Sequence, residues 1–349
     1  MKTVTIKDVA REAGVSISVV SYVLNNNPNV SISKETKEKV LAAAGKLSYT
    51  PNSIARSMRT KKSMIIGLAT FWDISDSVFT DVLKGVDHVF EKNGYSITYC
   101  NLRNSYSGEK IIELYNQKQI DGAILLLHVD PARNFDEIKF LNSIKQRKIP
   151  AVVIDGSTED PDISYVNIDY HGTSYTAVNY LYKLGHRNLC YMLPNDSEVN
   201  NRQAVQRING YKAALESLQL VDSNLYFTED SMDDLISSVK STYPINKPTA
   251  VVVNKTSYAV PLLKALYENG LKVPEDISVI ACNDQGIAEF LTPPLTTIRV
   301  PTYAIGAKSA EMLFDILNGK PINIKLRLSN EVIERKSCME LLEPSTTKL

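Results

Sequence analysis

The chain has 349 residues, more than one ordinary domain holds, and its 44% apolar and 22% charged composition is that of a globular protein with ample core. No apolar run approaches the roughly 18 residues of a membrane-spanning helix, and the N-terminus "MKTVTIKDVAREAG" lacks the apolar centre of a secretion signal. The formal charge is zero but unevenly spread: residues 1–63 carry 11 Lys and Arg against 4 Asp and Glu, so a head of +7 precedes a body of −7. Such a head predicts a polyanionic partner for that segment alone.

The first elements read as helices. Thr5-Ile-Lys-Asp8 has the spacing of a capping box and opens a helix with Ile6, Val9, Ala10 and Ala13 as its apolar stripe. Gly14 supplies the backbone for a tight turn. Ser16 then caps a second helix with Val15, Val19, Val20, Val23 and Leu24 on its buried side. The opposite side carries Ile17, Ser18, Ser21, Tyr22 and Asn25, small and polar groups suited to a surface that is not protein. Asn25–Asn27 and Pro28 end that helix. Ser33 caps a third, expected to turn Val40, Leu41, Ala44 and Leu47 inward. Two short helices joined by a Gly-containing turn make a helix-turn-helix; a helical hairpin for protein contact is the other reading. After Pro51, Asn52–Arg59 reads as about two helical turns, too short to persist alone in water. Arg56, Arg59, Lys61 and Lys62 beside it suggest phosphate as the ordering agent.

From residue 64 the pattern changes. Nine β-rich runs follow ("MIIGLAT", "SITYCNL", "GAILLL", "AVVID", "YVNID", "NLCYML", "AVVVN", "ISVIAC", "TTIRV"), most of them separated by helical stretches such as 82–92, 172–184, 205–218 and 258–268. Strands alternating with helices predict parallel sheets covered on both faces, and this number suits two doubly wound subdomains. Ligands of such sheets sit beyond the carboxyl ends of the strands. Phe71, Trp72 and Asp73 follow the first strand, where an aromatic face and a carboxylate could hold a sugar ring or a base; packing is the alternative for the single Trp.

The stretches "VTIKDVAREAGVSISVVSYVLNNNPNVS" and "KLSYTPNSIARSMR", with the body that follows, resemble the lactose/galactose repressor (LacI/GalR) family over nearly the whole chain. The resemblance implies a second helix in the major groove and a hinge helix that orders on operator DNA and pairs with its dimer mate in the minor groove. By position, Ile17, Ser18 and Tyr22 would face base edges, Ser16, Ser21 and Asn25 would approach phosphates, and Ala55, Met58 and Arg59 match the minor-groove segment. Three departures stand out: Val19 replaces a usual hydroxyl residue, Tyr22 stands where Arg or His is common, and Met58 stands at the usual wedging leucine. The body is similar to sugar-binding clamp proteins of the periplasm, with the chain crossing between two lobes three times. The resemblance adds Asp155 as an effector position (helix capping is its alternative), Arg207 in the R-x-x-G-[YFW] pattern, and Arg202 nearby. It also adds Asn254, Asn283 and Asp284. Here the family's Asn-Asp is Asn254-Lys255, and Asn283 replaces a usual aspartate, which shifts the expected effector toward a phosphorylated, acidic or otherwise unusual one.

The rival class is a cytosolic α/β enzyme acting on a sugar or nucleotide. The chain holds no phosphate-loop, G-x-S-x-G, H-E-x-x-H or dinucleotide motif, and His88, His128, His171 and His186 are scattered. His186 sits in "LGHRN", which resembles a structural turn of the family. Cys100, Cys190, Cys282 and Cys338 lie far apart and read as free thiols. A secreted solute-binding protein would share the clamp but not the basic head. The expectation is therefore an all-α helix-turn-helix head (1–50), a hinge and linker (51–63), a two-lobed α/β effector-binding and dimerisation body (64–340) and a tail (341–349). The sequence predicts a cytoplasmic homodimeric regulator, nucleoid-associated on a pseudo-palindromic operator. It takes a small-molecule effector, a sugar or sugar derivative, and needs no cofactor, metal or membrane. The C-terminal "EVIERKSCMELLEPSTTKL" has no heptads for a tetramerising coiled coil.

Overall fold

The computed structural model describes residues 4–24, 30–49, 60–72, 77–102, 108–127, 135–156, 160–193, 201–220, 226–227, 231–320 and 324–341. The expected hinge helix lies outside them, as do Asn25, Ala55, Met58, Arg59 and Asp73. The chain divides into two compact units, Met1–Met64 with Lys118–Ile120, and the remainder.

In the first unit, α1 (Ile6–Ala13), α2 (Ile17–Leu24) and α3 (Lys34–Lys46) enclose Val9, Val20 and Val40, which have no exposed surface. The helix ends follow from local chemistry. The Asp8 carboxylate accepts from the Thr5 N–H at 3.0 Å and from its hydroxyl at 2.7 Å. Gly14 ends α1 at φ 64°, in the left-handed region where a side chain would be strained. Ser16 Oγ accepts from the Val19 N–H at 3.3 Å, and Ser33 Oγ from the Thr36 N–H at 3.2 Å. Leu41, expected inside, is 56% exposed. Val40, Ala43, Ala44 and Leu47 share one face at i, i+3, i+4 and i+7, and Leu41 falls about a quarter turn off it.

In the second unit each of the nine runs forms a strand: β1 (Ile65–Thr70), β2 (Ser96–Asn101), β3 (Gly122–Leu126), β4 (Ala151–Ile154), β5 (Ser164–Ile168), β6 (Leu189–Met192), β8 (Ala250–Val253), β9 (Ser278–Ala281) and β10 (Thr296–Arg299). Three further strands join them, β7 (Tyr226–Phe227), β11 (Lys325–Leu328) and β12 (Glu331–Ile333). One sheet has the order β11-β5-β4-β3-β1-β2 and is parallel throughout. The other has the order β12-β10-β9-β8-β6-β7 and is parallel except for β12, which runs antiparallel to β10. Both cores follow the period of two. In the second sheet Cys190, Met192, Val251, Val253 and Val279 pack under helices Met232–Asn246 and Thr256–Glu268. Leu189, Tyr191, Ala250, Val252 and Ile280 face helices Tyr170–Lys183 and Arg202–Ser217. The helices at 170, 202 and 256 start two or three residues before the apolar periodicity read from the sequence, because their first turns are set by capping. Asp169 Oδ1 accepts from the Gly172 N–H at 3.1 Å and Asn201 Oδ1 from the Ala204 N–H at 2.8 Å.

The chain passes between the sheets three times. Residues 155–163 join β4 to β5 within one sheet, and the first crossing falls at Asp169. Helix Thr302–Leu317 returns to the first sheet, and β11 and β12 then place one strand in each. Among the described residues, no helix is long and apolar enough to cross a membrane.

Helices Tyr170–Lys183 and Arg202–Ser217 touch backbone to backbone at Gly210, where an added Cβ would stand 2.0 Å from the His171 carbonyl oxygen. Gly210→Ala should force the helices apart and destabilise the body by about 1–3 kcal/mol, the usual range for overpacking. Thermal unfolding of the variant against wild type checks this; an unchanged midpoint would show that the pair has room to spare.

Candidate functional site

Two surfaces gather the residues singled out by sequence. In the head, the N-terminal end of α2 presents Ser16, Ile17 and Ser18 exposed, with Ser21 and Tyr22 half-buried behind them. Ile17 is 43% exposed although apolar, with no place in the small core. An outward isoleucine between two serines, at the start of a helix, can meet a thymine methyl and phosphate oxygens together.

In the body, the site forms at the carboxyl ends of β1, β4, β8 and β9, and it brings the two sheets into contact. Asp155 directly follows β4 at φ 56° and is 1% exposed. The Tyr170 hydroxyl donates to Asp155 Oδ2 at 2.8 Å and accepts from Gln203 Nε2 at 2.7 Å. Arg202 Nη1 lies 3.8 Å from Asp155 Oδ1 and donates to the carbonyl oxygens of Asp155, at 3.2 Å, and of Gly156. Asp155 belongs to the first sheet, whereas Tyr170, Arg202 and Gln203 lie on helices of the second. Among the described residues no helix starts at Asp155, so it is not a cap. Burial pushes its carboxyl up to about 6, against the opposing pull of Arg202 and Tyr170. Burial and the neighbouring carboxylate together hold the Tyr170 phenol well above its usual range.

Behind this contact, Arg207 is buried with its guanidinium 4.9 Å from the centre of the Tyr170 ring. Its Nη2 donates to the Cys282 carbonyl at 3.4 Å, while Nε and Nη1 reach no acceptor among the described residues. Asn254, fully buried after β8, accepts from the Tyr191 hydroxyl at 3.1 Å, and its Nδ2 has no partner among the described residues. Asn283 Oδ1 accepts from the Thr256 N–H at 2.6 Å, which fixes the carboxamide with its Nδ2 turned away from that helix.

Other candidates are placed differently. Asp284 spends its carboxylate within the chain, accepting from Thr297 at 2.8 Å, from Arg299 at 2.9 and 3.1 Å, and pairing with Arg335 at 2.9 Å. Burial opposes its ionisation, yet these donors hold its carboxyl below the ordinary value. It ties β10 to the end of β9. Phe71 packs edge-on against Phe135, with ring centroids 4.6 Å apart. Trp72 is 7% exposed, its backbone N–H bonded to Thr70 Oγ1 at 2.8 Å. His186 joins Thr249 at 3.0 Å to the Met339 carbonyl at 3.1 Å, holding the C-terminal segment against the second sheet. Tyr170 and Gln203 are the two participants that sequence reading missed. Tyr170 directly follows the strand run "YVNID" and Gln203 adjoins Arg202, so their places in the chain were the available signal.

The buried carboxylate makes a pH prediction. Because the folded value of Asp155, about 6, lies above the ordinary 3.8 of the unfolded chain, its contribution to stability is fully present below the unfolded value. It is lost as pH rises through 6. Asp155→Asn keeps an acceptor for Tyr170 and cannot ionise. Its stability relative to wild type should therefore rise by up to about 3 kcal/mol between pH 4 and pH 7.5. Denaturant unfolding at the two pH values checks it; a pH-independent difference would contradict the assignment.

Comparison with known proteins fits both surfaces. Residues 5–52 match the lacI family of bacterial regulatory proteins, and residues 178–338 match a periplasmic binding protein-like domain. The HTH-type transcriptional regulator RegA of Clostridium acetobutylicum is 34% identical over 96% of this chain and 99% of its own length. The HTH-type transcriptional repressor PurR of Vibrio atlanticus is 30% identical over 97% and 99%. Among solved structures, the lac repressor dimer bound to operator and the anti-inducer ONPF aligns with a TM-score of 0.79 at 25% identity, over 97% of this chain and all of that one. Likeness sustained from the helix-turn-helix through both lobes shows that this chain belongs to the lacI family of bacterial transcription regulators.

Proposed function

We propose that the chain is a cytoplasmic homodimeric repressor that binds a pseudo-palindromic operator and releases or tightens it in response to a small molecule held between its lobes. The observation that carries this reading is the contact of Asp155 with Tyr170 and Arg202, which spans the two sheets at their carboxyl ends. A ligand there can favour one lobe arrangement over another, and only such a difference can alter DNA affinity. One head reads a half-site, so two-fold operator symmetry calls for a two-fold dimer. Ser16, Ile17, Ser18, Ser21 and Tyr22 form the major-groove face, with Asn25 beside them. Ala55, Met58 and Arg59 form the minor-groove segment. Asp155, Arg202, Arg207, Asn254 and Asn283 hold the effector, with Trp72 and Asp73 at the end of β1. Phe71 and Asp284 support the site through their contacts within the protein. The chain acts by binding rather than by catalysis, in keeping with its relatives, which are transcription regulators.

Two measurements test this. If a dimer neutralises about eight phosphates, operator affinity should fall with salt at a log–log slope near −7, and a slope shallower than about −3 would remove phosphate contact as the main source of affinity. Loss of one charge-assisted hydrogen bond costs about 1.5–3 kcal/mol. Asp155→Ala should thus move the effector response to roughly ten- to hundredfold higher concentration, measured against that variant's own operator affinity without effector. A wild-type titration curve from that variant would take Asp155 out of the ligand site.

A further inference from the structure

Among the described residues, the cleft wall contributed by the second sheet offers donors and almost no acceptors. Arg207 is 3% exposed, and its Nε and Nη1 meet no acceptor among the described residues. The acceptor of Asn254 is taken by Tyr191 and that of Asn283 by the Thr256 N–H, which can only donate. Both amide nitrogens are left over. The Asp284 carboxylate, which follows immediately, is filled by Thr297, Arg299 and Arg335. Across the cleft, Asp155 already receives the Tyr170 hydroxyl and faces Arg202. Among the described residues, Asp155 and Asp284 are thus already met by Arg202, Arg299 and Arg335, and Arg207 takes part in none of these pairs. Burying a cation with unused N–H groups is costly unless a ligand supplies the acceptors.

Neutral sugar hydroxyls fit such a wall poorly. Each brings a proton as well as lone pairs, and a buried donor left without an acceptor forfeits its desolvation energy. Asn283 offers an amide there, whose oxygen already accepts from the Thr256 N–H. An anionic group, which only accepts, answers every leftover donor at once, and a guanidinium pairs with it bidentately. We infer that the small molecule taken by this cleft carries a carboxylate or phosphate group, seated against Arg207, Asn254 and Asn283. This rests on the reading of the cleft as the effector site and names the class of effector.

The test is calorimetric titration of the full chain with inorganic phosphate and two matched pairs, glucose with glucose 6-phosphate and galactose with galacturonate. The anionic member should bind at least tenfold tighter than its neutral partner in one pair or both, the phosphate pair and the carboxylate pair telling the two anions apart. Inorganic phosphate alone should bind weakly and compete. Asn283→Asp keeps the acceptor for the Thr256 N–H, so it preserves the fold, and it should weaken the anion at least tenfold. Tighter binding of a neutral sugar, weakened in turn by Arg207→Gln, would leave the cleft reading standing and overturn the anion. Anion binding that neither variant changes would place the ligand elsewhere and overturn both. Absence of binding by all five probes would also overturn the inference, since such a seat takes inorganic phosphate unaided.

Discussion

A buried carboxylate has to be answered by hydrogen bonds or charge, and Asp155 finds its answer on the other lobe. The residue ends β4 of one sheet, while Tyr170 and Arg202, which satisfy it, begin two helices of the other. Desolvation raises the cost of the charge and makes the partners hard to give up. Much of the local architecture serves this meeting. Asp169 caps the helix that carries Tyr170, Asn201 caps the helix that carries Arg202, and Gly210 lets those helices pack backbone to backbone. The arrangement is a contact between two rigid sheets joined by three chain crossings, and a ligand acts on it by replacing or reinforcing a few polar partners.

The head follows a different logic. Its core is a handful of small aliphatic residues, and most of its polar surface serves capping and exposed ion pairs such as Lys46 with Glu12 and Lys39 with Glu35. Exposed pairs of this kind contribute little to stability. The outward face of α2 is left for recognition, with Ile17 apolar and exposed where a self-contained domain would have a polar group. Head and body thus differ in kind, an exposed helix face in one and a buried polar contact between two sheets in the other.

The parts of this fold that are strongly periodic were legible in the sequence. The stripe of α1, the caps at Ser16 and Ser33, and the nine buried strands all come from patterns of two or 3.6 residues that burial enforces. Three of the four edge strands were not legible: β11, "KLRL", for example, alternates charge with leucine and is half-exposed, so it carries no continuous apolar signal. Leu41 was misplaced because a leucine one residue off a helix stripe looks the same in sequence as one on it. At the site, Asp155 and Arg207 were found by resemblance. Tyr170 was not, because a tyrosine opening a helix signals nothing until the opposing carboxylate is known. Asp284 shows the converse, an acid at an expected ligand position whose charge Arg299 and Arg335 consume.

The central claim is that Asp155 and Arg202 hold the two lobes together across the cleft. It is tested most directly by the distance between spin labels attached through Lys139→Cys and Lys240→Cys, one exposed position on each lobe, in labelled chains diluted with unlabelled protein. Without ligand, the wild-type background should give a narrow distribution, and Arg202→Ala should broaden it toward longer distances by several ångström. Superimposable distributions in the two backgrounds would contradict the claim.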